Sequence, residues 1–153
     1  MSNIVDIGAR VVSFAEKSSW VYAVIAVVFP AIYVVLMAGE AGRLPVADIE
    51  YQLPLLGSIG AAVVAAVLAH ILIVASAPDD AGKEDERDRE IGRYGEYATG
   101  LALAAAMFGV LILVLLEVDH FWIAGAMYLA FAASGVVGTV AKIVTYRRGL
   151  PAW

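Results

Sequence analysis

Four stretches of this chain carry no Asp, Glu, Lys or Arg: residues 18–39, 51–78, 97–116 and 121–141. They run from 20 to 28 residues. A helix rises about 1.5 Å per residue, so about 20 apolar residues cross roughly 30 Å of bilayer hydrocarbon. All four are long enough. Composition agrees: 62% of the chain is apolar and the mean hydropathy is +0.84, where a soluble domain is nearer half apolar. Lipid cannot bond to an open backbone, which leaves helices or a closed barrel, and the period-two alternation of barrel strands is missing. The expectation is an all-α integral membrane protein, a single domain over residues 1–153. Its four transmembrane helices fall near 18–39, 53–76, 97–116 and 121–144 and pair as two antiparallel hairpins.

Charge sets the orientation. Arg10 and Lys17 precede the first span, Lys83, Arg87, Arg89 and Arg93 lie between the second and third, and Lys142, Arg147 and Arg148 close the fourth. Only Arg43 falls in the opposite loops. The excess of bases marks the cytoplasmic side. Both termini and loop 77–96 are therefore expected in the cytoplasm. Asp6 and Glu16 stand where a cleaved signal peptide would carry bases, so the first span is read as retained.

Local patterns add detail. Residues 3–17 alternate at helical spacing, with Ile4, Ile7, Val11 and Phe14 opposite Asp6, Arg10 and Lys17. This predicts an amphipathic helix lying at the inner interface. Trp20 and Tyr22 then stand at headgroup level, and Trp122 anchors the other side. Pro30 should kink the first span. Two ladders of small residues, Gly57-Ala61-Ala65-Ala69 and Ala126-Ala130-Ser134-Gly138, would let helix backbones approach closely. They predict packing seams on the second and fourth spans, or a homodimer face on one of them.

Loop 77–96 is the densest in charge. Asp79 to Glu96 holds 12 of the 25 charged residues. A charged juxtamembrane helix is expected from Glu84 to Arg93, with Asp85 paired to Arg89 and Glu90 to Arg93, the favoured spacings on a helix. Ile91, Tyr94 and Ala98 share a face that could pack back on the spans. A solvated helix with internal ion pairs is the plain reading. The functional one is a docking surface for a cytoplasmic protein on Asp85, Glu86, Arg87, Asp88, Arg89, Glu90 and Arg93, selected by complementary potential.

Chemistry has few places to live. Ionisable groups inside a membrane are the first functional suspects. His70, about five residues inside the second span, is one, and Glu96 at the start of the third could meet it. A satisfied neutral imidazole is the plain reading and a proton relay the functional one. Glu117, Asp119 and His120 in the outer turn are weak candidates for a divalent cation, without a spacing motif, and no metal site or cofactor is expected. Cysteine is absent, which removes disulfides and thiolate ligands. Ser134 lacks the glycine setting of an intramembrane nucleophile, and no phosphate-cradling Gly-x-x-x-x-Gly-Lys run occurs. A net charge of −5 argues against direct nucleic-acid binding. No enzyme is expected.

Residues 85–91, Asp-Glu-Arg-Asp-Arg-Glu-Ile, precede the third span, and 117–124, Glu-Val-Asp-His-Phe-Trp-Ile-Ala, form the outer turn. Residues 142–149, Lys-Ile-Val-Thr-Tyr-Arg-Arg-Gly, close the fourth span, and Ala69-His70-Ile71 ends the second. In these motifs, over about residues 53–150, the chain resembles an uncharacterised family of small actinobacterial four-span membrane proteins. The resemblance implies no activity. Genes of that family often neighbour a small helix-turn-helix regulator, which implies a membrane partner for a soluble transcriptional regulator. Alternatives are a small dimeric transporter or channel with His70 and Glu96 near its path, and an accessory subunit of a larger membrane complex.

Overall fold

The computed structural model describes residues 14–76 and 86–149, with side chains from Ser18 onward. Four helices dominate: α1 (Phe14–Ala41), α2 (Gln52–Ser76), α3 (Glu86–Leu115) and α4 (His120–Arg148). They hold 28, 25, 30 and 29 residues. At about 1.5 Å per residue each exceeds the roughly 30 Å of hydrocarbon. Each is long and apolar enough to cross a membrane. Leu53, Leu56, Val63, Val64, Leu68 and Leu72 of α2 are all exposed, as are Val35, Phe108, Leu115 and Phe131 on the other helices. Apolar surface on this scale marks contact with lipid or protein. These features suggest a multi-pass membrane protein.

The helices outrun the predicted spans. α1 is already helical at Phe14, so the last four residues of the expected interfacial helix continue directly into the span; the rest of 3–17 lies outside the described residues. α3 is helical from the first described residue, Glu86, and its charged segment is continuous with the apolar one.

Packing runs in the spatial order α2, α1, α4, α3. Each hairpin packs on itself, and α1 on α4 joins the two. Among the described residues α2 and α3 make no substantial contact with each other.

The α3–α4 seam is built from small residues. Ala130, Ser134 and Gly138 of α4 are buried, as is Gly95 of α3. Approach is closest where Gly138 faces Gly95 and Thr99: an added Cβ at Gly138 would come 2.9 Å from the Gly95 carbonyl oxygen. Thr99 turns its hydroxyl back onto that same carbonyl at 2.9 Å. The ladder predicted on α4 is therefore a seam. Its counterpart on α2 is only half covered: Gly57 and Ala61 are exposed, Ala65 and Ala69 are half-buried, and α2 buries no residue fully.

At the end away from the termini an aromatic core closes the structure. Tyr33 and Met37 of α1, Ile49 of the α1–α2 loop and Phe121 of α4 are buried together, with Tyr51, Leu55 and Tyr128 against them. Tyr33 meets Tyr128 edge-on at 5.4 Å between ring centres, and Tyr51 meets Phe121 at 5.7 Å. Ser58 of α2 donates to the Phe29 carbonyl beside buried Pro30, at 3.1 Å. Its single proton is then spent, so Tyr128 donates to the Ser58 oxygen at 2.7 Å.

Candidate functional site

The charged start of α3 is fastened at two points. Ile91, only 1% exposed, is the most deeply buried large side chain of the described residues. One turn earlier, Asp88 accepts a 2.9 Å hydrogen bond from the Tyr146 hydroxyl of α4. Tyr94 and Ala98 are half-buried, as the shared face with Ile91 predicts. The opposite side of the segment is open: Glu86, Arg87, Arg89, Glu90, Arg93 and Glu96 are exposed. Asp88 is thus an anchor, not a free member of the candidate docking surface. Asp85, with its expected pairing to Arg89, lies outside the described residues. Glu90 and Arg93 are exposed, where a pair at their spacing contributes only about 0.2–0.5 kcal/mol.

The anchoring extends across this whole end of the molecule. Arg147, the residue after Tyr146, holds its guanidinium 5.8 Å from the ring centre of Trp20 on α1. Tyr22, half a turn further along α1, lies with its hydroxyl 3.1 Å from His70 Nδ1 on α2. Polar contacts therefore tie α3 to α4, α4 to α1 and α1 to α2 in the order in which the helices pack. Ser19 and Thr145 are buried among them, and Thr145 satisfies its hydroxyl on the Ala141 carbonyl at 2.8 Å. A set of charged residues on such a frame is preorganised, which lowers the ordering cost of binding.

His70 and Glu96 are not brought together. His70 sits on α2 against Tyr22, Glu96 is exposed on α3, and those two helices do not pack on one another. An imidazole protonated on Nε2 would accept the Tyr22 hydroxyl at Nδ1. Ser134 is 3% exposed and its hydroxyl donates to the Phe131 carbonyl of its own helix at 2.8 Å.

In the α3–α4 turn the three weak cation candidates have separate roles. Asp119 caps α4, accepting the Phe121 N–H at 2.9 Å. Glu117 takes a left-handed backbone, φ 54°, to end α3. His120 is the exposed first residue of α4. Among the described residues no three His, Asp or Glu side chains form a metal-binding group.

Sequence reasoning missed Lys142 and Gly95. The stem of Lys142, on α4, lies over Gly95 of α3: an added Cβ there would come 2.9 Å from Lys142 Cδ and overlap the adjoining methylenes. Gly95 is hidden in sequence by its charged neighbours, although it recurs three residues after Gly92 in an otherwise helical segment. Compared with known proteins, the chain matches no protein-family model, no curated protein and no solved structure.

Proposed function

We propose that this chain is a non-enzymatic protein of the bacterial inner membrane, with both termini cytoplasmic, that docks a soluble protein on the charged start of α3. The observation that carries the reading is the fastening of that segment by Ile91 and by the Asp88–Tyr146 bond. Glu86, Arg87, Arg89, Glu90 and Arg93 then stand exposed on a rigid extension of a span. Mixed charges held in fixed positions discriminate partners by complementary potential more than by raw affinity. The excess of basic residues at this end supports a cytoplasmic setting. A soluble transcriptional regulator is the partner that the resemblance implies.

The alternative of a small dimeric transporter draws no support from His70 and Glu96, which sit on helices that make no substantial contact among the described residues. An accessory subunit of a larger complex would bind through its apolar helix faces instead.

The test is a photo-crosslinking residue at Arg89, with a second probe at Leu68 on the exposed face of α2, in membranes at native expression. Docking predicts that the Arg89 probe captures one discrete soluble protein. It also predicts that Arg87→Gln with Arg89→Gln and Glu90→Gln removes the adduct and leaves membrane insertion intact. Equal capture by the neutralised variant would sink the reading, and a stoichiometric integral membrane protein at Leu68 alone would favour the accessory subunit.

A further inference from the structure

Lys142 is a half-buried cation at membrane depth. It lies on α4 between buried Gly138 and the last turn that carries Arg147 and Arg148. Gly95 leaves the space through which its stem passes, so the path of the side chain is set by the α3–α4 seam. Among the described residues none supplies a hydrogen bond or an ion pair to its ammonium. On the facing helix Asp88 is engaged by Tyr146, while Glu90 and Glu96 turn to the exposed side. A cation held partly out of water without a counter-ion is unfavourable, and the cost falls when an anion is supplied from outside.

Position identifies the anion. Trp20, 46% exposed with Arg147 over its ring, marks the interfacial level at this end. Lys142 is five residues further along α4 into the apolar span, about 8 Å at 1.5 Å per residue. A lysine stem bridges most of such a distance, keeping its methylenes in apolar surroundings and its head among the polar groups. The anion available at that level in a bilayer is a lipid phosphate. Basic clefts between helices on the cytoplasmic side are suited to anionic headgroups. We propose that Lys142, its stem laid over Gly95 at the edge of the α3–α4 seam, binds the phosphate of an anionic phospholipid. This rests on the orientation of the charged end, not on docking, and its failure would leave the docking reading in place.

The experiment titrates the purified full-length protein in detergent with phosphatidylglycerol or phosphatidylcholine and counts bound lipid by native mass spectrometry. Phosphatidylglycerol is expected to be retained preferentially. Lys142→Met should weaken it about fivefold, the loss expected for one basic residue at an anionic surface. Lys142→Arg should retain it. Gly95→Ala should weaken it by displacing the stem without removing the charge. Millimolar inorganic phosphate should leave the lipid bound. Wild-type retention by Lys142→Met would overturn the proposal, as would equal retention of phosphatidylcholine. Displacement by inorganic phosphate would make this a free-anion site, and the lipid assignment would fall.

Discussion

The Tyr146 hydroxyl donates to the Asp88 carboxylate at 2.9 Å, joining the last turn of α4 to the first turn of α3. That bond, with Ile91 one turn on, is what makes the charged segment part of a span and not a loose linker. A hydrogen bond to a charged group contributes about 1.5–3 kcal/mol, and less at a half-buried site open to water. Tyr146→Phe should therefore raise amide exchange over residues 86–93 about tenfold, the equivalent of about 1.4 kcal/mol. Residues 101–113 should exchange as before. Uniform acceleration along α3 would show that the bond stabilises the whole helix and does not merely anchor its start.

The α3–α4 seam tolerates no added bulk at Gly138, where a methyl group would press on the Gly95 carbonyl and on Thr99. Overpacking costs about 1–3 kcal/mol. Gly138→Ala should destabilise the protein by that amount in a denaturing-detergent titration. Gly57→Ala, at an α2 position with nothing within 4 Å, should be neutral or slightly stabilising. Equal destabilisation by both would mean that α2 has a partner that this single chain does not provide.

These two glycines show what the sequence can and cannot convey. Spans and charged ends are one-dimensional signals, since lipid excludes charge wherever it touches a helix, and they are legible residue by residue. The Gly57 and Gly138 ladders have the same spacing and nearly the same composition. Only the α4 ladder is fully buried along its last three members, because only α4 meets a surface carrying Gly95 and Thr99. Helix pairing is a property of two surfaces, and a pattern on one strand of sequence does not contain it. The same limit hid the split of the docking candidates, where Asp88 anchors and its neighbours remain exposed. It also hid the separation of His70 from Glu96.

Two tyrosines in contact, Tyr33 buried and Tyr128 half-buried, should respond oppositely to loss of their hydroxyls. Tyr128 donates to Ser58, whereas the Tyr33 hydroxyl is buried and finds no partner among the described residues. A buried polar group without a partner costs about 1–3 kcal/mol, and a satisfied one contributes about 1 kcal/mol net. Tyr128→Phe is expected to lower the unfolding free energy by about 1 kcal/mol or more, because Ser58 also loses its donor. Tyr33→Phe is expected to raise it or leave it unchanged. Similar losses for both variants in the same titration would show that Tyr33 is bonded in the membrane-embedded protein.

The turn from α3 to α4 holds a non-glycine residue where helices usually end on glycine. Glu117, φ 54°, donates its N–H to the Val114 carbonyl at 3.0 Å, and Val118 reaches back to Leu113 at 3.1 Å. That pair of bonds is the Schellman ending of a helix, in which glycine avoids the Cβ crowding of the left-handed region. The left-handed conformation costs other residues about 1–2 kcal/mol, and the greater freedom of unfolded glycine returns about 0.5–1 kcal/mol of that. Glu117→Gly should thus stabilise the fold by about 0.5–1 kcal/mol. Asp119→Ala, two residues on, removes the cap on Phe121 and should cost about 1 kcal/mol, with Asp119→Asn retaining most of it. Thermal unfolding in detergent reads both. A destabilising Glu117→Gly would mean that the carboxylate itself is needed at the α3–α4 turn.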